Sequence, residues 1–175
     1  QGGSLKLPAR DKVVRFKLLY SISFEDDAPA LAKLLPSVKN DSLAETIQPG
    51  PTRWNEKIVT KGSTGFTGNH PYVLDTITIP YDNPYKALFF TTGVDFPPAG
   101  PVKNGIDPLQ TAYICTVHGD VWQVSGIDGS LQELTWKRFA TGLFQPLGMK
   151  IVRGDIYVLG RDQITRLHDL NGDGE

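Results

Sequence analysis

Asp169, Asn171 and Asp173 alternate through the last seven residues, Asp169-Leu170-Asn171-Gly172-Asp173-Gly174-Glu175. Oxygen-bearing side chains at alternate positions, with glycine at the sixth, follow the D-x-[DN]-x-D-G opening of a calcium loop. In such a loop the chain coils so that positions 1, 3 and 5 converge on one hard cation. Gly174 stands at the sharp-turn position, and Glu175 at the seventh would offer its backbone carbonyl. The same residues also suit a plain turn, because Asn171-Gly172 and Asp173-Gly174 tolerate left-handed backbone. A full loop has about twelve positions, and the sequence stops before the bidentate acid of the last. The chain therefore reads as the N-terminal piece of a longer protein, with catalytic groups outside it.

Just upstream, Arg161, Asp162, Arg166 and His168 lie at or beside a strand-like run over residues 163–169. Polar residues at strand ends can face a ligand, and His168 has the chemistry of a general base. Arg161, Asp162 and His168 are the candidate catalytic residues, set against a solvated face with an Arg161–Asp162 surface pair. In His118-Gly119-Asp120 an imidazole and a carboxylate flank a glycine, which also reads as ordinary hairpin chemistry. His70 precedes Pro71 with no companion motif. Cys115 sits in the apolar run Ala112-Tyr113-Ile114-Cys115-Thr116-Val117, where a cysteine behaves as a small hydrophobe. Trp122, Trp136, Phe139 and Phe144 suit either a core between sheets or a carbohydrate-stacking platform. Residues 62–68 are glycine-rich but lack the lysine and following helix of a phosphate loop.

Alternating short runs would carry these groups. Residues 13–22 are β-branched and aromatic and read as a strand. Asp26-Asp27-Ala28-Pro29 resembles a helix start; Ala30, Leu31, Leu34 and Leu35 fall on one helical face, and Pro36 ends it. Residues 39–71 are polar and broken by Pro and Gly, an ordered linker anchored by Trp54. From Tyr72 the period becomes two, giving expected strands over 72–79, 86–92, 111–117, 120–125, 134–141, 149–152, 155–160 and 163–169. Hairpin-type breaks occur at His118-Gly119-Asp120, Asp128-Gly129 and Arg153-Gly154-Asp155.

A weak repeat runs through this half. Val121-Trp122-Gln123-Val124-Ser125 and the following Asp128-Gly129 align with Ile164-Thr165-Arg166-Leu167-His168 and the following Asn171-Gly172. Four-stranded propeller blades repeat at about 40–50 residues, although a β-sandwich gives similar spacing. The fold expected is mainly β: a partial β-propeller of about two four-stranded blades over residues 72–175. A strand–helix segment (1–38) and a long linker (39–71) precede it, the linker or another chain covering the open sheet edge.

Composition narrows the function classes. Hydrophobic residues at 39% and charged residues at 21% fit a folded globular chain. A net charge of −1 with no basic block argues against nucleic acid and membrane surfaces as partners. No apolar run is long enough to span a bilayer. The single cysteine rules out an intrachain disulfide. A calcium-type loop favours an exported protein, periplasmic or at the cell surface.

Residues 119–175 resemble a family of large exported bacterial proteins that carry a glucose/sorbosone-dehydrogenase-like β-propeller, often followed by a c-type cytochrome domain. The densest motif is GRDQITRLHDLNGDGE at the C-terminal end. YVLDTITIPYDNPYKAL, from Tyr72, is similar to the stretch that leads into the first blade of that family. The resemblance implies a quinone- or haem-linked sugar dehydrogenase when the protein is full length, with electrons passed to a c-type haem outside this chain. The fragment alone would be inactive. Haem and quinone come only from the resemblance; no haem-attachment motif is present here. The alternative is a non-catalytic propeller that binds polysaccharide or protein.

Overall fold

The structure, a computed structural model, describes residues 6, 7, 9, 11, 16, 18, 28–39, 44, 48–65 and 71–175. The chain divides into two compact units, residues 1–48 and 49–175. In the first, helix α1 spans Ala28–Leu34 and runs into a 3-10 turn, Leu35–Ser37. Pro29 occupies the first turn, where a missing N–H costs nothing. Pro36 cannot continue the helix, and the Ser37 hydroxyl donates to the Leu34 carbonyl at 2.7 Å. This is the helix expected from sequence. Most of the strand expected over 13–22 lies outside the described residues, as does His70.

The second unit is mainly β. Its strands are β1 (Ile58–Thr60), β2 (Thr91–Asp95), β3 (Thr111–Thr116), β4 (Val121–Ser125), β5 (Leu134–Ala140), β6 (Gly148–Val152), β7 (Asp155–Leu159) and β8 (Ile164–Leu167). They form two antiparallel sheets, one of five strands in the order β1-β5-β4-β3-β2 and one of three, β6-β7-β8. Thus β2 to β5 make a four-stranded meander with β1 added outside β5, and β6 to β8 make a second, three-stranded meander. The sheets therefore hold five and three strands, where two sheets of four were expected. The two repeat strands lie in different sheets, β4 and β8, each third in its meander.

Turn chemistry sets the register. The β3–β4 turn places Gly119 at φ +102°, and a Cβ there would collide with the Leu143 carbonyl. The β6–β7 turn uses Arg153 at φ 55° and Gly154 at φ 92°. Between β4 and β5 the Asp128 carboxylate accepts from the amides of Ser130 (2.9 Å) and Leu131 (2.8 Å). That Asx-type turn drops Leu131 into the core.

Alternation along the five-stranded sheet builds two cores. Ile58, Phe89, Ala112, Ile114, Trp122, Val124, Leu134 and Trp136 share one face, with Ile77, Ile79 and Tyr85 packed on them. Tyr113, Cys115, Val121 and Phe139 share the other face and meet Ile151, Ile156 and Val158 of the second sheet. Trp122 and Trp136 were expected between the sheets; they lie on the opposite face, and Phe144 is exposed. Burying an aromatic side chain of ~150–250 Å² contributes about 4–6 kcal/mol. Trp122 therefore remains favourable although its Nε1–H has no hydrogen-bond partner among the described residues, a loss of about 1–3 kcal/mol.

Two expected strands differ. Residues 72–79 make one bridge, Ser63 to Thr76, and no ladder. Threonine hydroxyls replace the backbone pairing: Thr60 Oγ1 donates to the Thr78 carbonyl and Thr78 Oγ1 to the Lys61 carbonyl, at 2.7 and 2.8 Å. The strand expected over 86–92 begins at Thr91. Lys86 takes φ 50°, and the Asn83 side chain both donates to and accepts from Ala87, closing a turn where pairing would have started.

The two meanders meet where their first strands run close. A Cβ on Gly93 would sit 2.9 Å from Gly148 Cα and 2.9 Å from Met149 N. Thr92 Oγ1 donates to the Pro146 carbonyl at 2.8 Å, and Asp95 accepts from the Ile151 amide (2.6 Å) and Lys150 Nζ (2.9 Å). Burial works against the Asp95 charge, yet the Ile151 amide and the Lys150 ammonium outweigh it and hold the carboxyl below its usual range.

Candidate functional site

Away from that seam the two sheets leave a cleft of about 490 Å³. Its apolar floor comes from alternation: Tyr113, Phe139, Ile151 and Ile156 all face the space between the sheets. The proline-rich segment over residues 97–101 forms one wall, and Lys103, Arg153, Asp155 and Asp169 bring charge to the rim, with His168 beside them. A volume of this size lies within the usual range of ligand clefts, about 300–1,000 Å³.

His168 follows β8 and Asp155 opens β7, so the antiparallel pairing brings them to the same end of the sheet. His168 Nδ1 lies 4.0 Å from Asp155 Oδ1, while Arg166 Nη2 donates to Asp155 Oδ2 at 2.6 Å. Arg166 also stands 5.9 Å from the centre of the Tyr157 ring. Asp155 is thus engaged by Arg166 first, with the imidazole at the longer distance. The other two candidate catalytic residues stand elsewhere. Arg161 Nη1 donates to Gln145 Oε1 at 3.1 Å, and Asp162 is exposed without an ion pair to Arg161.

On the floor, Tyr113 is 9% exposed and packs edge-on against Phe139, ring centroids 5.4 Å apart. Burial pushes its phenol above the ordinary range, and the nearby Asp169 carboxylate pushes the same way. Beneath the seam Cys115 is fully buried, which raises its thiol, an effect the Thr92 hydroxyl partly offsets. A protonated buried thiol is not a nucleophile.

A second hollow of about 300 Å³ adjoins His168 on its other side, between the C-terminal loop and the turn before β1. Here the loop closes on itself. Asp169 accepts from the amides of Gly172 (2.7 Å) and Gly174 (2.9 Å), and Asn171 Nδ2 donates to Asp173 Oδ2 at 2.7 Å. Lys137 Nζ donates to the Asp173 carbonyl. The Glu175 carboxylate accepts from the consecutive amides of Arg53 (2.6 Å) and Trp54 (3.0 Å), a small amide nest. Asp169, Asn171 and Asp173 are thus together, with their side chains bonded to one another and to the backbone. Among the described residues no group of three or more His, Cys, Asp or Glu side chains is placed to hold a metal.

His118 is exposed, and Asp120 turns away from it. The buried Asp120 carboxylate accepts from Arg138 Nη2 at 2.6 Å and Nε at 3.2 Å, and from the Thr141 hydroxyl. The Arg138 guanidinium carbon lies 5.3 Å from the Trp54 ring centre and 5.8 Å from those of Tyr85 and Trp122. The pair is a structural cross-strand tie. Sequence reading missed it because the partners lie 18 positions apart and only the β4–β5 register joins them; it missed Tyr113 because an aromatic inside an apolar run carries no signal of its own. The Arg53-Trp54 nest had one signal, the Gly50-Pro51 turn before it. The chain matches no family model, no curated protein and no solved structure.

Proposed function

We propose that β2–β5 and β6–β8 are successive blades of a β-propeller, and that the protein is an exported sugar dehydrogenase of the glucose/sorbosone type. Electrons would leave through a quinone or a c-type haem held outside this chain. The observation that supports the blade reading is the repeated meander. Third strands β4 and β8 begin at Val121 and Ile164, in separate sheets, and first strands β2 and β6 pack on each other at Gly93. Two blades in register would place their first strands side by side in this way. The sequence resemblance over residues 119–175 supports the activity class. The same reading includes calcium at Asp169, Asn171 and Asp173, which would require Asn171 to release Asp173.

The test is sugar-dependent dye reduction by the intact natural protein, with and without added quinone. Turnover with at least one aldose or sugar alcohol is expected, and no turnover across a broad panel refutes the dehydrogenase. A second reading, a propeller that binds polysaccharide without chemistry, is favoured by the separation of the polar candidates. His168 stands apart from Arg161 and Asp162, and Asp120 is already held by Arg138. Glycan-array binding without dye reduction would select it.

A further inference from the structure

We propose that the cleft between the two sheets binds an aliphatic carboxylate, with the chain on its apolar floor and the carboxylate held by Lys103 and Arg153 at its rim. This ligand is distinct from the sugar of the proposed function, and the inference stands whether or not a sugar is turned over.

The charge at the rim does not cancel. Arg166 already neutralises Asp155 at 2.6 Å, and the Asp169 oxygens accept from the Gly172 and Gly174 amides at 2.7 and 2.9 Å. Among the described residues, neither the Lys103 nor the Arg153 side chain makes an ion pair or a hydrogen bond. Two unpaired cations thus face the single carboxylate of Asp169, and the net positive charge calls for a monoanion.

Tight turns place both cations. Lys103 bridges to Ile106 across Asn104 and Gly105, which take φ 51° and 76°. Arg153 itself takes φ 55° beside Gly154 at φ 92°, in the β6–β7 turn. Positive φ at both central residues is the hairpin geometry that matches strand twist, so the backbone of each cation is fixed at its edge of the cleft. Asn104 Nδ2 donates to the Gly172 carbonyl at 3.3 Å, and Asp107 caps the 3-10 turn that follows. The wall that carries Lys103 is therefore tied down on both sides.

The floor selects the body of that anion. Ile151, Ile156 and Leu167 surround the pair of Tyr113 and Phe139. Those two rings meet at 84° and offer no parallel faces between which a flat ligand could stack. A flexible alkyl chain follows such a surface and needs no hydrogen bonds from it. A small inorganic anion would leave the floor wet, and an uncharged chain would leave the cations unused.

Calorimetry on the intact protein reads the binding, below the micellar concentration of each probe. Hexanoate, octanoate and decanoate are the probes, with 1-octanol and octylamine as neutral and cationic controls. Affinity is expected to rise about fourfold for each methylene buried, and octanoate is expected to bind more tightly than either control. Lys103→Gln and Arg153→Asn preserve the turns, because asparagine tolerates positive φ. Each is expected to weaken octanoate roughly two- to fivefold, the range of an exposed ion pair, with octanol binding and melting unchanged. The proposal is overturned if the folded parent binds no alkanoate, if affinity does not grow with chain length, or if a control matches octanoate. It is also overturned if the double variant Lys103→Gln/Arg153→Asn keeps the preference for octanoate over octanol. Tighter binding of an acetylated apolar tripeptide than of decanoate would assign the cleft to a peptide carboxyl terminus and overturn it too. Alkanoate binding without sugar-dependent dye reduction leaves this site standing and removes the dehydrogenase; dye reduction without alkanoate binding does the reverse.

Discussion

Gly93→Ala probes the seam on which the two meanders meet. The added methyl carbon would lie 2.9 Å from Gly148 Cα, 2.9 Å from Met149 N and 3.1 Å from Cys115 Sγ. Two of those neighbours are backbone, so no rotamer change relieves the contact and β2 must move away from β6. Overpacking of this kind costs about 1–3 kcal/mol. At about 2–4 °C per kcal/mol for a chain of this size, the melting temperature falls by roughly 2–12 °C. Gly148→Ala is the control, because a Cβ there meets nothing within 4 Å. That change restricts only the unfolded chain and is expected to be neutral or stabilising by about 0.4–1 kcal/mol. Thermal unfolding followed by circular dichroism reads both variants, and thiol labelling of the buried Cys115 should be faster in Gly93→Ala. If both variants melt with the parent, or if Gly148→Ala is the more damaging, the close approach of β2 and β6 is refuted.

Asp95→Asn should destabilise by about 1–2 kcal/mol near pH 7, because an amide replaces a charged acceptor for the Ile151 N–H and Lys150. The native Asp95 carboxyl is held below its unfolded value of about 3.9, so its contribution is present above that pH and is lost as pH falls through the lowered value. The gap in denaturant midpoint between parent and Asp95→Asn should therefore close on acidification, and a gap that widens would contradict the linkage. Trp136→Phe removes a made hydrogen bond, Nε1 to Thr60 Oγ1 at 2.9 Å, whereas Trp122→Phe removes an N–H with no partner. Urea titration should find Trp136→Phe worse by about 1–2 kcal/mol; the opposite order would show that Trp122 Nε1 is satisfied. Arg138→Met leaves the Asp120 carboxylate buried with only the Thr141 hydroxyl as partner among the described residues. It should cost about 3 kcal/mol, and the double variant with Asp120→Leu should recover part of that loss in the same titration.

Strands β3 to β8 were legible because alternation and glycine turns agree there. Gly119 and Gly154 sit at the expected breaks with positive φ, and the paired patterns at Val121 and Ile164 each open a strand, β4 and β8, in separate sheets. The segment over 72–79 alternates just as clearly but forms no ladder, since Thr60 and Thr78 hydroxyls take over the bonding. A two-fold pattern reports which face is buried, as Ile77 and Ile79 are, and does not report whether a neighbour pairs. β1 was illegible because three residues with Val59 exposed give no period; its place depends on Trp136 and β5. In the cleft, His168 was visible by type and Asp155 was not, because their meeting depends on the β7–β8 register. Tyr113 became visible only once β3 placed its face toward the second sheet.

The most direct test of the blade architecture is a crystal structure of the intact protein. The account predicts that one rotation superposes β2–β4 on β6–β8, about an axis running beside the paired first strands β2 and β6, with further sheets continuing the same rotation. Two sheets closed face to face as a sandwich, with no axis that carries one meander onto the other, would contradict it.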